Sequence, residues 1–193
     1  MNSSVSIILP TYNRAHLLPR AVDSVLAQTF PKWELIVWND GSTDETAKVL
    51  STYHDPRIRV FSAPNQGKSS ALNQALALAE ADVFAFLDDD DCWMPQFLDC
   101  QMATLLAHPE LDLVFSNFRN VNIARNLDED GFRQNATGLN RLQTEELESG
   151  ARRITKGFLE GIATENFIAF DAAVMRKHLF EQVGIFNTDL NGG

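Results

Sequence analysis

Cysteine is scarce in this sequence. Its 193 residues include two, Cys92 and Cys100, and these do not form a Cys-x-x-Cys pair. A disulfide-stabilised secreted scaffold needs a much higher cysteine density, so that class is excluded. The pattern favours two free thiols in a reducing compartment over a disulfide between them. The four histidines are scattered, and they lack the spacing typical of a metal site.

Long hydrophobic runs are also absent. The apolar stretches Val5–Leu9 and Val83–Leu87 are far shorter than the roughly 20 residues of a membrane-spanning helix. The segment Met1–Ser4 lacks the basic residues that begin a signal peptide. The expectation from the sequence is therefore a cytoplasmic domain without a membrane span.

Basic residues are outnumbered by acidic ones. There are 16 Lys and Arg against 26 Asp and Glu, which leaves a formal net charge of −10 at pH 7. Nucleic-acid binding draws most of its affinity from Lys and Arg on phosphates, so no nucleic-acid partner is expected. The apolar share of 45% and the charged share of 22% are ordinary for a globular protein. The length favours one domain.

Short apolar segments alternate with segments of helical periodicity in the first part of the chain. The predicted strands are Val5–Leu9, Glu34–Trp38, Arg57–Phe61, Val83–Leu87 and Leu111–Phe115. The predicted helices cover 14–28, the stretch from a Ser42/Glu45 capping box to Tyr53, the stretch after Gly67, and 96–107. Four successive strand-then-helix units predict an α/β fold with a mainly parallel central sheet and helices on both faces.

The alternation of predicted strands and helices becomes less regular further along the chain. Residues 119–154 are polar and charged, and we expect a long excursion or mobile loop there. A strand is predicted at Phe167–Phe170, and a helix at Arg176–Val183 that ends at Gly184. The expected parts of the single domain are a first half, the excursion and the beginning of a second half, at 1–118, 119–154 and 155–193.

Polar residues follow each of the first four predicted strands. The four clusters are Pro10-Thr11-Tyr12-Asn13, Asn39-Asp40-Gly41-Ser42, Asn65-Gln66-Gly67-Lys68 and Asp88-Asp89-Asp90-Asp91. In an open α/β sheet, ligands bind outside the carboxyl ends of the parallel strands. The four clusters are therefore predicted to line one cleft.

The run of four aspartates is the strongest single signal. Adjacent carboxylates repel one another unless something positive is bound. Alternating pairs, either Asp88 with Asp90 or Asp89 with Asp91, offer hard oxygen ligands that suit Mg²⁺ or Mn²⁺ shared with substrate phosphates. The alternative is a solvated acidic turn. The position directly after a buried strand favours the metal site.

Three other polar residues keep two interpretations each. Tyr12 suits either ligand contact or simple packing. Asp40 lies in an Asn-Asp-Gly-Ser turn, and such turns need no ligand. Lys68 follows Gly67 at a predicted helix start, where backbone N–H groups favour anions, so Lys68 either approaches a phosphate or faces solvent.

Together these stretches resemble the motifs of the family 2 inverting glycosyltransferases. The resemblance spans residues 4–116, and its last motif resembles the DXD motif with its trailing Trp93 and Pro95. The matching stretches are Val5–Arg14, Asn39–Asp44, Asn65–Asn73 and Phe86–Pro95, with Val183–Leu190 as a fifth near the acceptor side. The resemblance implies the GT-A fold, a three-layer α/β/α arrangement around a mainly parallel sheet.

The resemblance also implies a donor site. The nucleotide-sugar-binding residues expected from it are Pro10, Thr11, Tyr12, Asn13, Asp40, Lys68, Asp88, Asp89 and Asp90. Among them, Thr11, Tyr12 and Asp40 would hold the base and ribose. The aspartate run would hold the diphosphate through Mn²⁺ or Mg²⁺, with Asp90 and then Asp88 as direct ligands. Family members usually carry Asp at the position of Asn39, and Asp40 is expected to take the base-contacting role.

A catalytic base is expected from the same resemblance. Family members usually carry it as an Asp soon after a Gly-x-Phe-x-x-x-Leu stretch. In this sequence only Asn191-Gly192-Gly193 follow Leu190, so the expected base lies beyond Gly193. Asp189 does not match the position, and Asp171 fits a structural role better. The expectation is a fragment or truncated product that binds its donor and transfers sugar poorly.

The implied partners are a nucleotide-diphosphate sugar, with a UDP-sugar favoured, and a glycan or lipid-linked acceptor of cell-envelope polysaccharide synthesis. Any membrane association is then expected to be peripheral, at the inner face. A non-catalytic nucleotide-sugar-binding module is the alternative in best agreement with the motifs. A phosphohydrolase with an Asp-x-Asp after a strand is a weaker one. A dinucleotide dehydrogenase is disfavoured because no Gly-x-Gly-x-x-Gly follows the first strand.

Overall fold

The computed structural model describes residues 4–122, 127–134 and 136–189, without the side chains at 122, 133 and 136. Within these ranges the strands are β1 Val5–Thr11, β2 Trp33–Asn39, β3 Ile58–Ser62, β4 Val83–Phe86, β5 Leu113–Phe115, β6 Arg119–Asn122, β7 Leu127–Asp130, β8 Gln143–Glu146, β9 Arg152–Lys156 and β10 Ala173–Arg176. The α-helices are α1 Leu18–Leu26, α2 Thr46–Leu50, α3 Lys68–Leu76, α4 Phe97–Ala107, α5 Gly131–Gln134, α6 Ala136–Leu139, α7 Phe158–Thr164 and α8 His178–Val183.

Six strands form the central sheet, in the order β3-β2-β1-β4-β10-β5. Strands β1 to β4 are mutually parallel wherever they pair. Strand β10 lies antiparallel to both β4 and β5, so β5 runs in the same direction as β1. The predicted α/β fold with a mainly parallel sheet is confirmed. The antiparallel strand inside the sheet was not predicted.

Strand β1 lies in the middle of the sheet, and all seven of its residues are buried. Val5, Ile7 and Leu9 pack in one hydrophobic core with α1 and α4, whereas Ile8 packs in a second core with α3. Alternate residues of a strand point to opposite faces, so a strand that is apolar throughout needs cover on both sides. This arrangement gives the three-layer α/β/α architecture.

The predicted capping box at Ser42 and Glu45 is wrong. Helix α2 begins at Thr46, and the carboxylate of Asp44 accepts the Thr46 backbone N–H at 3.0 Å. The Ser42 hydroxyl instead accepts the backbone N–H of Asn13 at 2.9 Å. A contact between two loops has therefore replaced the local cap that the spacing suggested.

The strand predicted at Phe167–Phe170 is also wrong, since the strand that joins the sheet is β10. Phe167 is fully buried, and the ring of Phe170 stacks on Phe86 with 4.2 Å between centroids. These bulky rings pack onto the sheet rather than within it. A short 3-10 turn at Phe170–Ala172 then leads into β10.

Regular elements occur in the described part of the predicted excursion at 119–154. Strands β6 and β7 form one antiparallel hairpin, and β8 and β9 form another. Positions 123–126 and 135 of this segment lie outside the described residues. In the described ranges, no helix is both long enough and apolar enough to cross a membrane.

Candidate functional site

The carboxyl ends of β1 to β4 meet at one edge of the sheet, and the loops that follow them enclose a cleft of about 480 Å³. The cleft is lined by Pro10, Thr11, Tyr12, Arg14, Asp40, Asn65, Gly67, Lys68, Ala71, Asp88, Asp89 and Asp90. The predicted convergence of the four polar clusters is therefore confirmed. Asn13 is the one predicted site residue that does not line the cleft.

Asn13 joins two loops instead. Its φ of 53° lies in the left-handed region, where Asn is tolerated better than most residues. Its side-chain Oδ1 accepts the backbone N–H of Thr43 at 2.7 Å and that of Asp44 at 3.3 Å. Asn39 instead holds its own turn, because the Oδ1 of this buried residue accepts the backbone N–H of Ser42 at 3.0 Å.

Asp40 is 4% exposed and holds the loop between β3 and α3. Its two carboxylate oxygens accept the backbone N–H groups of Gln66 and Gly67 at 3.0 and 2.9 Å. Asn65 Nδ2 donates to the Asp40 carbonyl oxygen at 2.9 Å. Gly67 has a φ of 88°, which favours glycine at this position. Asp40 therefore shapes the cleft wall, which its sequence motif alone did not reveal.

Asp89 is set apart from the other aspartates of the run. It is buried, and its Oδ2 accepts the hydroxyl of Thr11 at 2.6 Å. Desolvation raises the pKa of Asp89, and the hydrogen bond from Thr11 together with the charge of Arg14 opposes that rise. The Thr11–Asp89 bond ties the end of β1 to the loop after β4, which fixes the floor of the cleft.

The other three aspartates form a compact acidic cluster. One carboxylate oxygen from each of Asp88, Asp90 and Asp91 lies within 4.8 Å of the others. Carboxylate oxygens are the ligands that Mn²⁺ and Mg²⁺ prefer, so the donor set fits such a cation. The geometry adds Asp91 to the predicted pair of Asp90 and Asp88. The sequence held a signal for it, because Asp91 belongs to the same uninterrupted run.

Asp91 also contacts the second half of the chain. Its pKa is raised to about 7, first by desolvation from the surrounding protein and second by its hydrogen bond with the Asp171 carboxyl. Part of the Asp91 residue nevertheless remains exposed to solvent. Trp93 Nε1 donates to the Asp171 carbonyl oxygen at 2.6 Å. Asp171 is thus held beside the acidic cluster but does not line the cleft.

Two basic side chains lie on the acidic cluster. Arg14 Nη1 is 2.7 Å from Asp90 Oδ2, and Lys68 Nζ is 2.7 Å from the Asp88 carboxylate. The hydrogen bond to Asp90 raises the pKa of Arg14. Lys68, for which the sequence left two interpretations, faces into the cleft. Sequence reasoning missed Arg14, and the available signal was its position next to the polar cluster after the first strand.

The fifth matching stretch packs against α3. Asn73 Nδ2 donates to the Phe186 carbonyl oxygen at 2.8 Å, and Asn73 Oδ1 accepts the Phe186 N–H at 2.9 Å. Helix α3 begins at Lys68, so one short helix contacts both the acidic cluster and this later stretch. Asp189 does not line the cleft. Leu190 and the positions up to Gly193, beyond which the base is expected, lie outside the described residues.

Known proteins resemble this chain in sequence. The model of the family described as Glycosyl transferase family 2 matches residues 6–184. The chain is 34% identical over 176 residues to the chondroitin synthase of Pasteurella multocida (strain Pm70), covering 86% of this chain and 18% of that protein. It is 35% identical over 119 residues to the Escherichia coli UDP-Glc:alpha-D-GlcNAc-diphosphoundecaprenol beta-1,3-glucosyltransferase WfgD, covering 61% of this chain and 47% of that protein. The chain thus spans less than half the length of either relative.

Solved structures share the fold. Residues 1–349 of Staphylococcus aureus TarS, crystallised with UDP, superpose with a TM-score of 0.73 at 23% identity, over 98% of this chain and 52% of that one. The mannosyltransferase PcManGT of Pyrobaculum calidifontis, in complex with GDP-Man and Mn²⁺, gives 0.67 at 23% identity, over 98% and 49%. These likenesses establish the GT-A fold. Because the family model covers nearly the whole described chain, the chain belongs to glycosyltransferase family 2.

Proposed function

We propose that the cleft binds a nucleotide-diphosphate sugar together with a divalent cation, and that the sugar is transferred to an acceptor hydroxyl with inversion. The observation that carries this proposal is the position of the acidic cluster. It lies in the same cleft as polar and aromatic side chains from the loops after β1, β2 and β3. A donor diphosphate and its nucleoside need these two kinds of surface side by side.

The nucleoside would lie on the side of the cleft formed by β1 and β2. Tyr12 is 47% exposed, so its ring is available for stacking on a base. Each Asp40 oxygen accepts one backbone N–H, and a carboxylate oxygen can accept a second donor from a base or ribose. Pro10 and Thr11 complete this wall. TarS with UDP and UDP-GlcNAc supports a UDP-sugar as the donor.

The diphosphate would lie at the acidic cluster. Asp90 and Asp88 would hold Mn²⁺ or Mg²⁺, with Asp91 beside them, and Lys68, which lines the same cleft, would contact the phosphates. When bound, such a cation supplies Lewis-acid stabilisation of the leaving diphosphate. PcManGT, solved in complex with GDP-Man and Mn²⁺, supports a divalent cation in this role.

The general base of this mechanism is not found among the cleft carboxylates of the described residues. In the described residues, the carboxylates that line the cleft are Asp40 and the aspartates after β4. Asp40 accepts two backbone amides, Asp89 accepts Thr11, and the others belong to the cation site. We therefore propose that the 193-residue chain lacks its base and transfers sugar poorly by itself.

The acceptor is proposed from the relatives. WfgD is named for transfer to a diphosphoundecaprenol-linked sugar, and WcaA of Escherichia coli for colanic acid biosynthesis. A glycan or lipid-linked acceptor of cell-envelope polysaccharide synthesis is consistent with both names. Such an acceptor would bring the domain to the inner face of the membrane as a peripheral protein.

Calorimetric titration tests the donor proposal. UDP-, GDP- and dTDP-sugars are titrated with and without Mn²⁺, and the UDP-sugar should bind most tightly with the metal present. Asp90→Ala should abolish the metal-dependent part of binding. Asp82→Ala is the matched control, because exposed Asp82 precedes β4 at the opposite end of the sheet. Unchanged metal dependence in Asp90→Ala would contradict the proposed cation site.

A transfer assay separates the enzyme from its alternative, a non-catalytic nucleotide-sugar-binding module. The lack of a base among the cleft carboxylates favours that alternative for the isolated chain. The assay compares this chain with one extended beyond Gly193, each with a UDP-sugar and a lipid-linked acceptor. Turnover by the longer chain alone supports the proposal. Full turnover by the 193-residue chain contradicts a missing base, and none by either chain favours the binding module.

A further inference from the structure

Two cationic side chains already neutralise the carboxylates that are proposed to bind the divalent cation. Lys68 Nζ lies 2.7 Å from both oxygens of Asp88, so it bridges them on one side of that carboxylate. Arg14 Nη1 lies 2.7 Å from Asp90 Oδ2. These are the same two residues, Asp88 and Asp90, that the aspartate run offers as direct metal ligands.

A divalent cation and these side chains compete for the same oxygens. A Mn²⁺ or Mg²⁺ ligand oxygen lies about 2.1 Å from the metal, so an ion on the side of the Asp88 carboxylate that Lys68 occupies would lie very close to the ammonium, which is 2.7 Å from both oxygens. Two like charges that close repel strongly, even in a solvated cleft. Binding on that side of Asp88 therefore requires Lys68 to move away. Arg14 engages Oδ2 of Asp90, so its competition is less complete.

Both side chains have room to move within the cleft. Arg14 is 43% exposed and Lys68 52% exposed, and both line the cleft in which the diphosphate would lie. Ion pairs this exposed are weak, because solvent screens them and long side chains lose entropy when they are held. A small rotation of either side chain exchanges a carboxylate partner for a phosphate partner at little cost.

We propose that Arg14 and Lys68 are exchangeable counter-cations, which compete with the divalent ion for Asp90 and Asp88 and bind the donor diphosphate when the ion displaces them. This inference rests on the proposed function. It goes beyond it by giving Arg14 a ligand-binding role and by linking the two binding events. The ion frees the cations that the diphosphate needs, and the diphosphate gives the displaced cations new partners. Ion and donor therefore strengthen each other's binding by the same factor.

The alternative is that both ion pairs persist and hold the cation ligands in place. The two models predict opposite signs for a single measurement. If the cations compete with the metal, their removal tightens metal binding in the absence of nucleotide. If they position the carboxylates, their removal weakens it.

The test uses Lys68→Gln and Arg14→Gln in the full chain. Mn²⁺ alone is titrated and followed by the electron paramagnetic resonance signal of the unbound ion. UDP is then titrated at saturating Mn²⁺ by calorimetry. Lys68→Gln should bind Mn²⁺ up to about fivefold more tightly than wild type, as expected for removal of an exposed ion pair, and Arg14→Gln should show a smaller gain because its competition is less complete. Each should bind UDP at least about tenfold more weakly, because a charge-assisted bond to phosphate is lost.

Lys48→Gln is the matched control. Lys48 forms an equally short ion pair of 2.7 Å with Glu45, but both side chains are largely exposed on α2 and its first turn, away from the cleft. This variant should bind Mn²⁺ and UDP as wild type does. Thermal melting checks that all three variants are folded, as expected for substitutions at exposed side chains.

The outcomes separate this inference from the proposed function. Unchanged or weaker Mn²⁺ binding in Lys68→Gln, with wild type binding both ligands, overturns the exchange and leaves the donor site intact. Tighter Mn²⁺ binding with unchanged UDP binding overturns the diphosphate role of the displaced cations. If wild type binds neither Mn²⁺ nor UDP, the proposed function fails and this inference fails with it.

Discussion

Asp40→Ala tests how far Asp40 is a structural residue of the cleft and how far it is a ligand contact. In the native protein its carboxylate accepts the backbone N–H groups of Gln66 and Gly67 at 3.0 and 2.9 Å. Alanine removes both acceptors and leaves the bond from Asn65 to the Asp40 carbonyl oxygen. The substitution therefore detaches the loop between β3 and α3 at its centre.

The expected loss of stability follows from these two bonds. A hydrogen bond to a charged group contributes about 1.5–3 kcal/mol, so the two together are worth about 3–6 kcal/mol. Gln66 and Gly67 are exposed, so water can replace the carboxylate at their amides. This replacement places the expected loss near the lower limit, at about 3 kcal/mol. With a urea m-value of about 2 kcal/mol/M, the unfolding midpoint falls by about 1.5 M.

Urea unfolding followed by tryptophan fluorescence measures this loss. Asp40→Asn should lie between wild type and Asp40→Ala, because an amide keeps one acceptor and places a donor against the second backbone N–H. Asp82→Ala is the control, since it removes an exposed carboxylate at the opposite end of the sheet. It should stay within about 0.5 kcal/mol of wild type.

Stability and UDP binding of Asp40→Ala together separate the two roles of Asp40. If Asp40→Ala loses less than about 0.5 kcal/mol and still abolishes UDP binding, the carboxylate does not hold the loop and serves the ligand directly. If it loses about 3 kcal/mol and UDP binding weakens in proportion to loop disorder, the structural role is confirmed.

Three further predictions concern other contacts of the cleft. The pKa of Asp91 is raised to about 7, so its carboxyl group keeps a proton in the folded chain that it releases near pH 4 in the unfolded chain. The free energy of unfolding should therefore fall as the pH rises from 5 to 7 in metal-free buffer. Asp91→Asn should remove that part of the pH dependence in urea unfolding, and an unchanged profile would contradict the shared proton with Asp171. Thr11→Val should cost about 2 kcal/mol, because it leaves the buried Asp89 carboxylate without its hydroxyl donor, and thermal and urea unfolding measure it. Asn73→Ala should cost about 1–2 kcal/mol and speed amide hydrogen exchange in the stretch after α8, and protection equal to wild type would show that the side chain does not hold it.

The four consecutive aspartates have different contacts, and the sequence predicted only part of this difference. The run from Asp88 to Asp91 indicated a cation site, because hard oxygen ligands in a row after a buried strand have few other uses. The sequence did not indicate which of the four aspartates lies outside the acidic cluster. Asp89 lies outside it because its carboxylate accepts a hydrogen bond at 2.6 Å from the hydroxyl of Thr11, 78 positions earlier in the chain. Contacts at that separation depend on how two strands pair, and the spacing of residues along the chain does not predict them.

The missed strand has a related cause. Phe167–Phe170 has the stronger apolar pattern, but strand β10 is formed by the residues that follow it. A pattern of apolar residues reports burial, and both a strand and a set of rings packed on a sheet are buried. The choice depends on which segment pairs with both β4 and β5, and in the folded protein Val174 is the residue that pairs with Ala85 and Val114.

The sequence by itself determined the α/β class, the order of the first four strand–helix units and the edge of the sheet at which the polar residues converge. Those features follow from local periodicity and from the rule that parallel strands share a carboxyl edge. Only the tertiary structure decided that Asp40 holds a loop, that Asp91 meets Asp171, and that Arg14 and Lys68 lie on the acidic cluster. These are contacts between residues far apart in the chain, and their geometry exists only once the sheet has formed.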